Sequence, residues 1–320
     1  TTVAGLNFPN PIGLAAGFDK QAEVIAESLG LGFGFVECGG VVPLLQAGNP
    51  KPRVFRIREA EAIINRMNFN SDGFDTVVRR VAAWYDASGK AFFDTSTDNP
   101  RGIVGINIAK GDATNNPAES YVSGLKVFAP YMHYVTVNVS CPNEANARQM
   151  EGRAMLETLL KTVMDAHASL SRKPLVFVKI SPDQTEQQMH EIAEAVLASG
   201  VHGMIIGNTT TSRPKEIPAK VAKEQGGLSG KPLFALSTKV LAEMYRLTAG
   251  KIPLIGCGGV SSAEDAYTKI RNGASLVQLY TAMVYQGAFV VKRMNKGLVK
   301  LLERDGFKSV SKAVGVDIKK

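Results

Sequence analysis

Short apolar runs alternate along the chain with longer amphipathic stretches. The runs Pro11–Ala16, Phe33–Glu37, Ile103–Asn107, Tyr134–Asn138, Leu175–Lys179, Gly203–Gly207, Ile252–Gly256 and Ser275–Tyr280 are short and mostly apolar. Runs of this kind read as strands buried on both faces, as in a parallel sheet. Between them Ala22–Leu29, Ala154–Leu170, Glu186–Ser199, Leu236–Thr248 and Ala263–Asn272 carry apolar residues at helical spacing. Eight such strands, with no early GxGxxG fingerprint, predict an α/β fold closed into a (β/α)8 barrel of the TIM type rather than an open doubly wound sheet.

One connection breaks the rhythm. The stretch from Gly39 to Gly102 is far longer than a βα unit requires. It contains the strand-like PRVFRI and AIINRMNF and then a helical pattern around Phe74–Tyr85. A small excursion over the barrel mouth, between the second and third barrel strands, is expected there. Asp86–Arg101 reads as a surface linker. All 320 residues fit a single barrel domain, a length ordinary for this fold.

Composition narrows the class. The apolar fraction of 45% allows a large core, and no apolar run is long enough to span a bilayer. No basic segment followed by an apolar stretch opens the chain. Its first residues lead almost directly into a strand, as expected for the catalytic part of a longer product. The net charge of +8 comes from scattered Lys and Arg; without a basic, aromatic-interleaved stripe it points to a solvated surface or an anionic membrane face, not to nucleic acid. Cys38, Cys141 and Cys257 are three isolated cysteines without a CxxC pair. No zinc or iron–sulfur site is indicated, and a reducing compartment fits. Cys38 and Cys257 read as small buried apolar residues.

Barrel enzymes work at the C-terminal ends of their strands. Those ends are Ala15-Ala16-Gly17-Phe18-Asp19-Lys20, Asn107, Asn138 through Asn143, Lys179, Asn208-Thr209-Thr210, Gly256 through Gly259, and Tyr280-Thr281. Several amides and two lysines converging on one mouth exceed what turn formation needs. A heterocycle with alternating N–H and C=O groups would satisfy them, since Asn both donates and accepts. The glycine-rich ends at Gly256–Gly259, with Gly226-Gly227-Leu228-Ser229-Gly230, allow backbone N–H groups to approach a phosphate. The ligand is then a phosphorylated sugar or a flavin mononucleotide. Lys179 at its strand end is placed to stabilise negative charge on a reduced flavin ring.

The motifs NPIGLAAGFDK, GNPKPRVFRI, INRMNFNSDG, NVSCPN, GNTTTSRP, GGLSGKPL, GCGGVSS and GASLVQLYTA occur in order along essentially the whole chain. In these the sequence closely resembles dihydroorotate dehydrogenase, in particular the membrane-associated, quinone-reducing class. The resemblance implies FMN held by Ala15, Ala16, Gly17, Asn107, Asn138, Lys179, Gly230, Gly259, Tyr280 and Thr281. Ser229 and Gly258 belong to the same glycine-rich segments, and Gly40 and Gly207 stand at flavin-side positions. It implies substrate contacts from Lys20, Asn65, Phe69, Asn138, Asn143, Asn208 and Thr209, with Asn68 beside them. In the family's mechanism a base removes the C5 proton of dihydroorotate while hydride passes from C6 to the flavin, whose electrons then go to a second acceptor, quinone in this class.

The position of the base is Cys141. The quinone-reducing class usually has serine there and the cytosolic classes cysteine; a thiol, with a reference pKa of about 8.5, ionises more readily than a hydroxyl. Members of the class carry an extra N-terminal helical region for membrane contact and the quinone tunnel, which is not in this sequence, and are generally monomeric. The implied location is the mitochondrial inner membrane in a eukaryote or the cytoplasmic membrane face in a bacterium.

Several positions depart from the family pattern. Gly40 stands for Ser or Thr, Gly207 for Thr, Asn68 for Gly, Glu144 for Thr and Ala109 for Gly. A carboxylate at Glu144 would repel an anionic substrate and raise a neighbouring thiol's pKa unless it points to solvent. The departures leave open a divergent paralogue acting on another dihydropyrimidine or cyclic amide, or a flavin-binding protein without turnover.

Overall fold

The computed structural model describes residues 1–88, 102–111, 116–140 and 153–318. Thirteen strands occur among them: Thr2–Val3 (β1), Leu6–Asn7 (β2), Ile12–Leu14 (β3), Phe35–Val41 (β4), Val54–Ile57 (β5), Ala62–Asn65 (β6), Ile103–Ile108 (β7), Tyr134–Asn138 (β8), Leu175–Ile180 (β9), Gly203–Ile206 (β10), Gly227–Gly230 (β11), Leu254–Cys257 (β12) and Ala274–Leu279 (β13). Eight of them, β3, β4, β7, β8, β9, β10, β12 and β13, pair in that order and close on themselves. Every pairing in this barrel is parallel. The eight predicted apolar runs are these eight strands, with ends displaced by a few residues at most.

The longer helices between and after the strands are Phe74–Ser88 (α1), Pro117–Phe128 (α2), Arg153–Ala168 (α3), Glu186–Ser199 (α4), Phe234–Leu247 (α5), Ala263–Arg271 (α6) and Val290–Arg304 (α7). The pattern reading did not name α2 or α7. Pro117 opens α2 and Gly124 interrupts its apolar face; the glycine is there for packing, because a Cβ would lie 2.7 Å from the Ile108 side chain. Asp86, Ala87 and Ser88, read as the start of a linker, are instead the last turn of α1. The rest of that linker, 89–101, lies outside the described residues.

The barrel interior is filled by pairing aromatics with glycines. Phe35 is the register partner of Gly13, Tyr134 of Gly105, and Phe177 of Gly203. A Cβ would lie 2.2 Å from the Phe35 ring at Gly13, 2.1 Å from Tyr134 at Gly105 and 2.5 Å from Phe177 at Gly203. Each large ring therefore occupies the space its glycine neighbour leaves. The β1–β2 hairpin plugs the N-terminal end, where Phe8 meets Phe35 edge-on at 5.4 Å.

The excursion between the second and third barrel strands is present. Strands β5 and β6 pair antiparallel, and β6 pairs on its other edge with β11, from far along the chain. The glycine-rich Gly227–Gly230 is thus a strand of this three-stranded sheet and not a free loop. Its small core holds Ile57, Ile64, Ile217 and Leu228.

His133, just before β8, is buried, and its Nδ1 accepts the Val104 N–H at 3.1 Å. Burial, with the charge of Arg172, pushes its pKa from 6.5 down to about 3. The folded chain therefore keeps this ring neutral while the unfolded chain protonates it below pH 6.5. Its contribution is complete above that pH and is lost as pH falls toward 3, at about 1.4 kcal/mol per pH unit. Urea unfolding between pH 7 and pH 5 will show this slope together with a same-sign part from His202, also pushed down by burial, and His133→Gln will reduce it by about 1 kcal/mol per pH unit; an unchanged slope in the variant counts against the assignment.

Candidate active site

The C-terminal ends of the barrel strands surround a cavity of about 240 Å³, roofed by the three-stranded sheet, which contributes Val54, Ile63 and Asn65. The end of β3 brings Ala15, Ala16, Gly17 and Lys20 to its wall, and β4 brings Gly40. Asn107 arrives on β7, Asn138 on β8 and Lys179 on β9. Asn208 and Thr209 follow β10, Ser229 and Gly230 belong to β11, Gly258 and Gly259 follow β12, and Tyr280 and Thr281 follow β13. Asn68 and Phe69 reach it from the segment after β6. Gly207 does not line the cavity: it is held at φ +116° with a Cβ position 2.1 Å from the Cys257 carbonyl oxygen. Cys141, Asn143 and Glu144 lie outside the described residues.

The floor is polar and tightly bonded. Glu37, fully buried on β4, accepts hydrogen bonds from Asn107 Nδ2 (2.8 Å), Gln278 Nε2 (3.0 Å), the Tyr134 hydroxyl (3.1 Å) and Thr136 Oγ1 (3.3 Å). Burial and the Glu37 charge push the Tyr134 hydroxyl up, so it stays a donor. Because Asn107 Nδ2 is committed to Glu37, its Oδ1 faces the other way and accepts Asn138 Nδ2 at 2.8 Å. Asn138 Oδ1 in turn accepts from the Ser140 hydroxyl at 2.8 Å, and Asn208 Nδ2 donates to the same hydroxyl at 3.0 Å. The Tyr121 hydroxyl, from α2, anchors the Asn138 carbonyl at 2.8 Å. The amides at three strand ends are therefore oriented by one chain that starts at a carboxylate.

On the other side Lys20 Nζ donates to the Asn68 carbonyl at 3.3 Å and to Asn70 Oδ1. Asn68 has φ +59°, a left-handed conformation that asparagine tolerates better than other side chains.

Several cavity-lining polar atoms lack partners. Gln278 Oε1 and Asn68 Oδ1 are buried without a hydrogen bond. The Lys179 side chain is 4% exposed and its ammonium has no hydrogen bond among the described residues. Buried groups of this kind need a ligand with complementary acceptors and donors. Gly230, Gly258 and Gly259 line the cavity with backbone alone, at φ of +100°, +106° and +79°. The donor set, a buried cation, unpaired amide oxygen and glycine backbone, fits a planar heterocycle carrying a phosphate.

Pattern reading missed Glu37, Gln278 and the cavity-side position of Cys257. Glu37 and Gln278 had a signal: each is the lone strongly polar side chain in an otherwise apolar buried strand, where such residues are rare unless paired.

A closed parallel barrel with a roofed, polar-floored chamber at its C-terminal mouth is an enzyme of the (β/α)8 class. The chain matches the family described as dihydroorotate dehydrogenase over residues 1–302. It is 49% identical to the mitochondrial dihydroorotate dehydrogenase (quinone) of Oryza sativa subsp. japonica, over 98% of this chain and 71% of that protein. It is 47% identical to the dihydroorotate dehydrogenase (quinone) of Xanthobacter autotrophicus, over 100% of this chain and 87% of the relative. The ligand-free DHODH of Eimeria tenella superposes with a TM-score of 0.93 at 37% identity, covering 100% of this chain and 92% of that one. The chain belongs to the dihydroorotate dehydrogenase family, in its quinone class, and is an oxidoreductase. Among the described residues no helix is long and apolar enough to cross a membrane.

Glu37→Gln turns one acceptor into a donor facing other donors. Leaving buried donors unpaired costs about 1–3 kcal/mol each, so a loss of about 3 kcal/mol in unfolding free energy is expected by urea denaturation. A loss below about 1 kcal/mol would mean the floor does not depend on this carboxylate.

Proposed function

We propose that this chain binds FMN at the barrel mouth and oxidises (S)-dihydroorotate to orotate in pyrimidine biosynthesis, with quinone receiving the electrons. The observation that carries the reading is one cavity lined both by Lys20, Asn65, Asn138 and Asn208 and by glycine backbone at Gly230, Gly258 and Gly259. The names of the relatives state the same reaction and acceptor.

Bound FMN supplies the two-electron acceptor for the hydrogen leaving C6. Ala15, Ala16, Gly17, Gly40, Tyr280 and Thr281 would hold it, with Ser229, Gly230, Gly258 and Gly259 toward its phosphate. Lys179, lining the cavity, would stabilise negative charge on the reduced ring. Gln278 Oε1, buried without a partner among the described residues, would accept from the ring, and the amides of Asn107 and Asn138, held by Glu37 and Ser140, would line its polar side.

Lys20 faces the substrate's carboxylate. Asn65, Asn138, Asn143 and Asn208, with Thr209, match its alternating N–H and C=O groups, and Phe69 excludes water. Asn68 adds an acceptor on the same side. Cys141 takes the C5 proton as general base. It follows directly on Ser140, which is bonded to Asn138 and Asn208.

Exposed Leu44 and Leu45, just past the end of β4, give the mouth side an apolar fringe suited to a lipid-soluble acceptor. Turnover at a membrane face follows, the mitochondrial inner membrane in a eukaryote or the cytoplasmic membrane in a bacterium.

Anaerobic mixing of the yellow protein with dihydroorotate will bleach the flavin within the mixing experiment's time window. Bleaching by other dihydropyrimidines but not by dihydroorotate would overturn the substrate assignment. Cys141→Ala will slow bleaching by a factor of about 10²–10⁴, as loss of a general base does. In the unsubstituted protein the rate will rise with pH along thiolate formation; a flat profile would remove Cys141 from the role.

A further inference from the structure

Lys269 lies in α6, outside the barrel wall, and is fully buried. Its stem passes Gly256, where a Cβ would sit 3.3 Å from Lys269 Cδ. Nζ donates to Ser237 Oγ at 2.6 Å and lies 5.2 Å from the centre of the Phe234 ring. No carboxylate pairs with it among the described residues. The charged or titratable groups facing it are Asp265 on its own helix and the Cys257 thiol on β12; α5 presents only Ser237 and Phe234. Asp265 is occupied elsewhere, accepting from the backbone N–H groups of Ser261 and Ser262.

Ser237 passes the contact on. Its hydroxyl lies 2.9 Å from the Gly258 carbonyl oxygen and 3.1 Å from that of Phe234, and it donates its one proton to the nearer, Gly258. The peptide between Gly258 and Gly259 is planar, so with its C=O turned to Ser237 its N–H points the opposite way. That N–H, on Gly259, has no acceptor among the described residues, and both glycines line the cavity. A Cβ on Gly259 would lie 2.4 Å from the Phe234 backbone N, which keeps the position bare.

We propose that Lys269 is a positioning residue for the flavin's phosphate: from behind the Gly258–Gly259 peptide it holds that N–H toward the cavity through Ser237, and it takes up a proton when the phosphate arrives. This rests on the FMN reading above. Burial pushes the Lys269 amine down to about 7, against the weaker opposite pull of Cys257 and Asp265. In the flavin-free chain at pH 8 the amine is therefore mostly neutral. A phosphate dianion on the far side of the peptide favours the ammonium, and one proton moves from solvent to Nζ with no other bond made or broken.

The test uses the full chain stripped of flavin and titrated with FMN or riboflavin at pH 8. Flavin fluorescence gives the affinity, and calorimetry in buffers of different ionisation enthalpy gives the proton count. Close to one proton should enter with FMN and none with riboflavin, the difference expected for a lysine passing from neutral to charged. Lys269→Met should abolish that uptake and weaken FMN by about tenfold or more, leaving riboflavin within about twofold. Ser237→Ala should weaken FMN severalfold while keeping the uptake; if the methionine variant does not fold, this variant and the unsubstituted proton count decide. Equal weakening of both flavins, or no extra proton with FMN, overturns the proposal. A chain that binds neither flavin fails the FMN reading itself.

Discussion

A carboxylate in the middle of a closed barrel must be met by donors from several strands at once, and Glu37 is met from three others. Asn107 comes from β7, Tyr134 and Thr136 from β8, and Gln278 from β13. A buried charge is tolerable only when it is fully hydrogen-bonded, so these side chains are locked in place and in orientation. Below this layer the barrel is apolar, built of aromatic rings set against glycines. Above it lies the cavity. The fixed direction of each amide is handed upward, through Asn107 to Asn138 and Asn208, so the wall that meets a ligand is ordered before any ligand arrives.

Much of the fold was legible because a strand buried on both faces writes itself as a continuous apolar run. Tyr134–Asn138 and Glu186–Ser199 have the same ends by pattern and by structure. What periodicity does not carry is pairing between distant segments. Nothing local in Gly227–Gly230 says that it is the third strand of a sheet begun by Val54–Ile57 and Ala62–Asn65, since its partner lies about 160 residues earlier. The site follows the same division. Asparagines and lysines at strand ends could be read from position alone, whereas Glu37 and Gln278 stand out as polar residues in apolar strands but show their pairing only when the barrel brings them together.

The departures from the family pattern also read differently in three dimensions. Asn68 stands where a glycine is usual, and its positive φ is the reason either residue suits the position. At Gly207 the crowding by the Cys257 carbonyl leaves no room for any side chain on this backbone. Gly40 is tighter than open: a Cβ would approach Asn107 Oδ1 to 3.1 Å, beside the oxygen already engaged by Asn138. Ala109 is buried with its N–H bonded to Val41. Of these positions Gly207 is settled by backbone crowding alone, whereas Gly40 and Asn68 line the cavity and so also change what it presents to a ligand.

The roof over the cavity is laced from two stretches of chain, with β11 completing what β5 and β6 begin and Arg66 reaching Glu224 across the same join at 2.8 Å. On the ribosome the earlier part emerges long before the later one. Until Gly230 has been synthesised the hairpin of β5 and β6 has an open edge and no third strand. Because β11 precedes β12 and β13 in the chain, the roof can be complete while two staves of the wall beneath it are still missing, and the chamber is enclosed only when β13 closes the barrel.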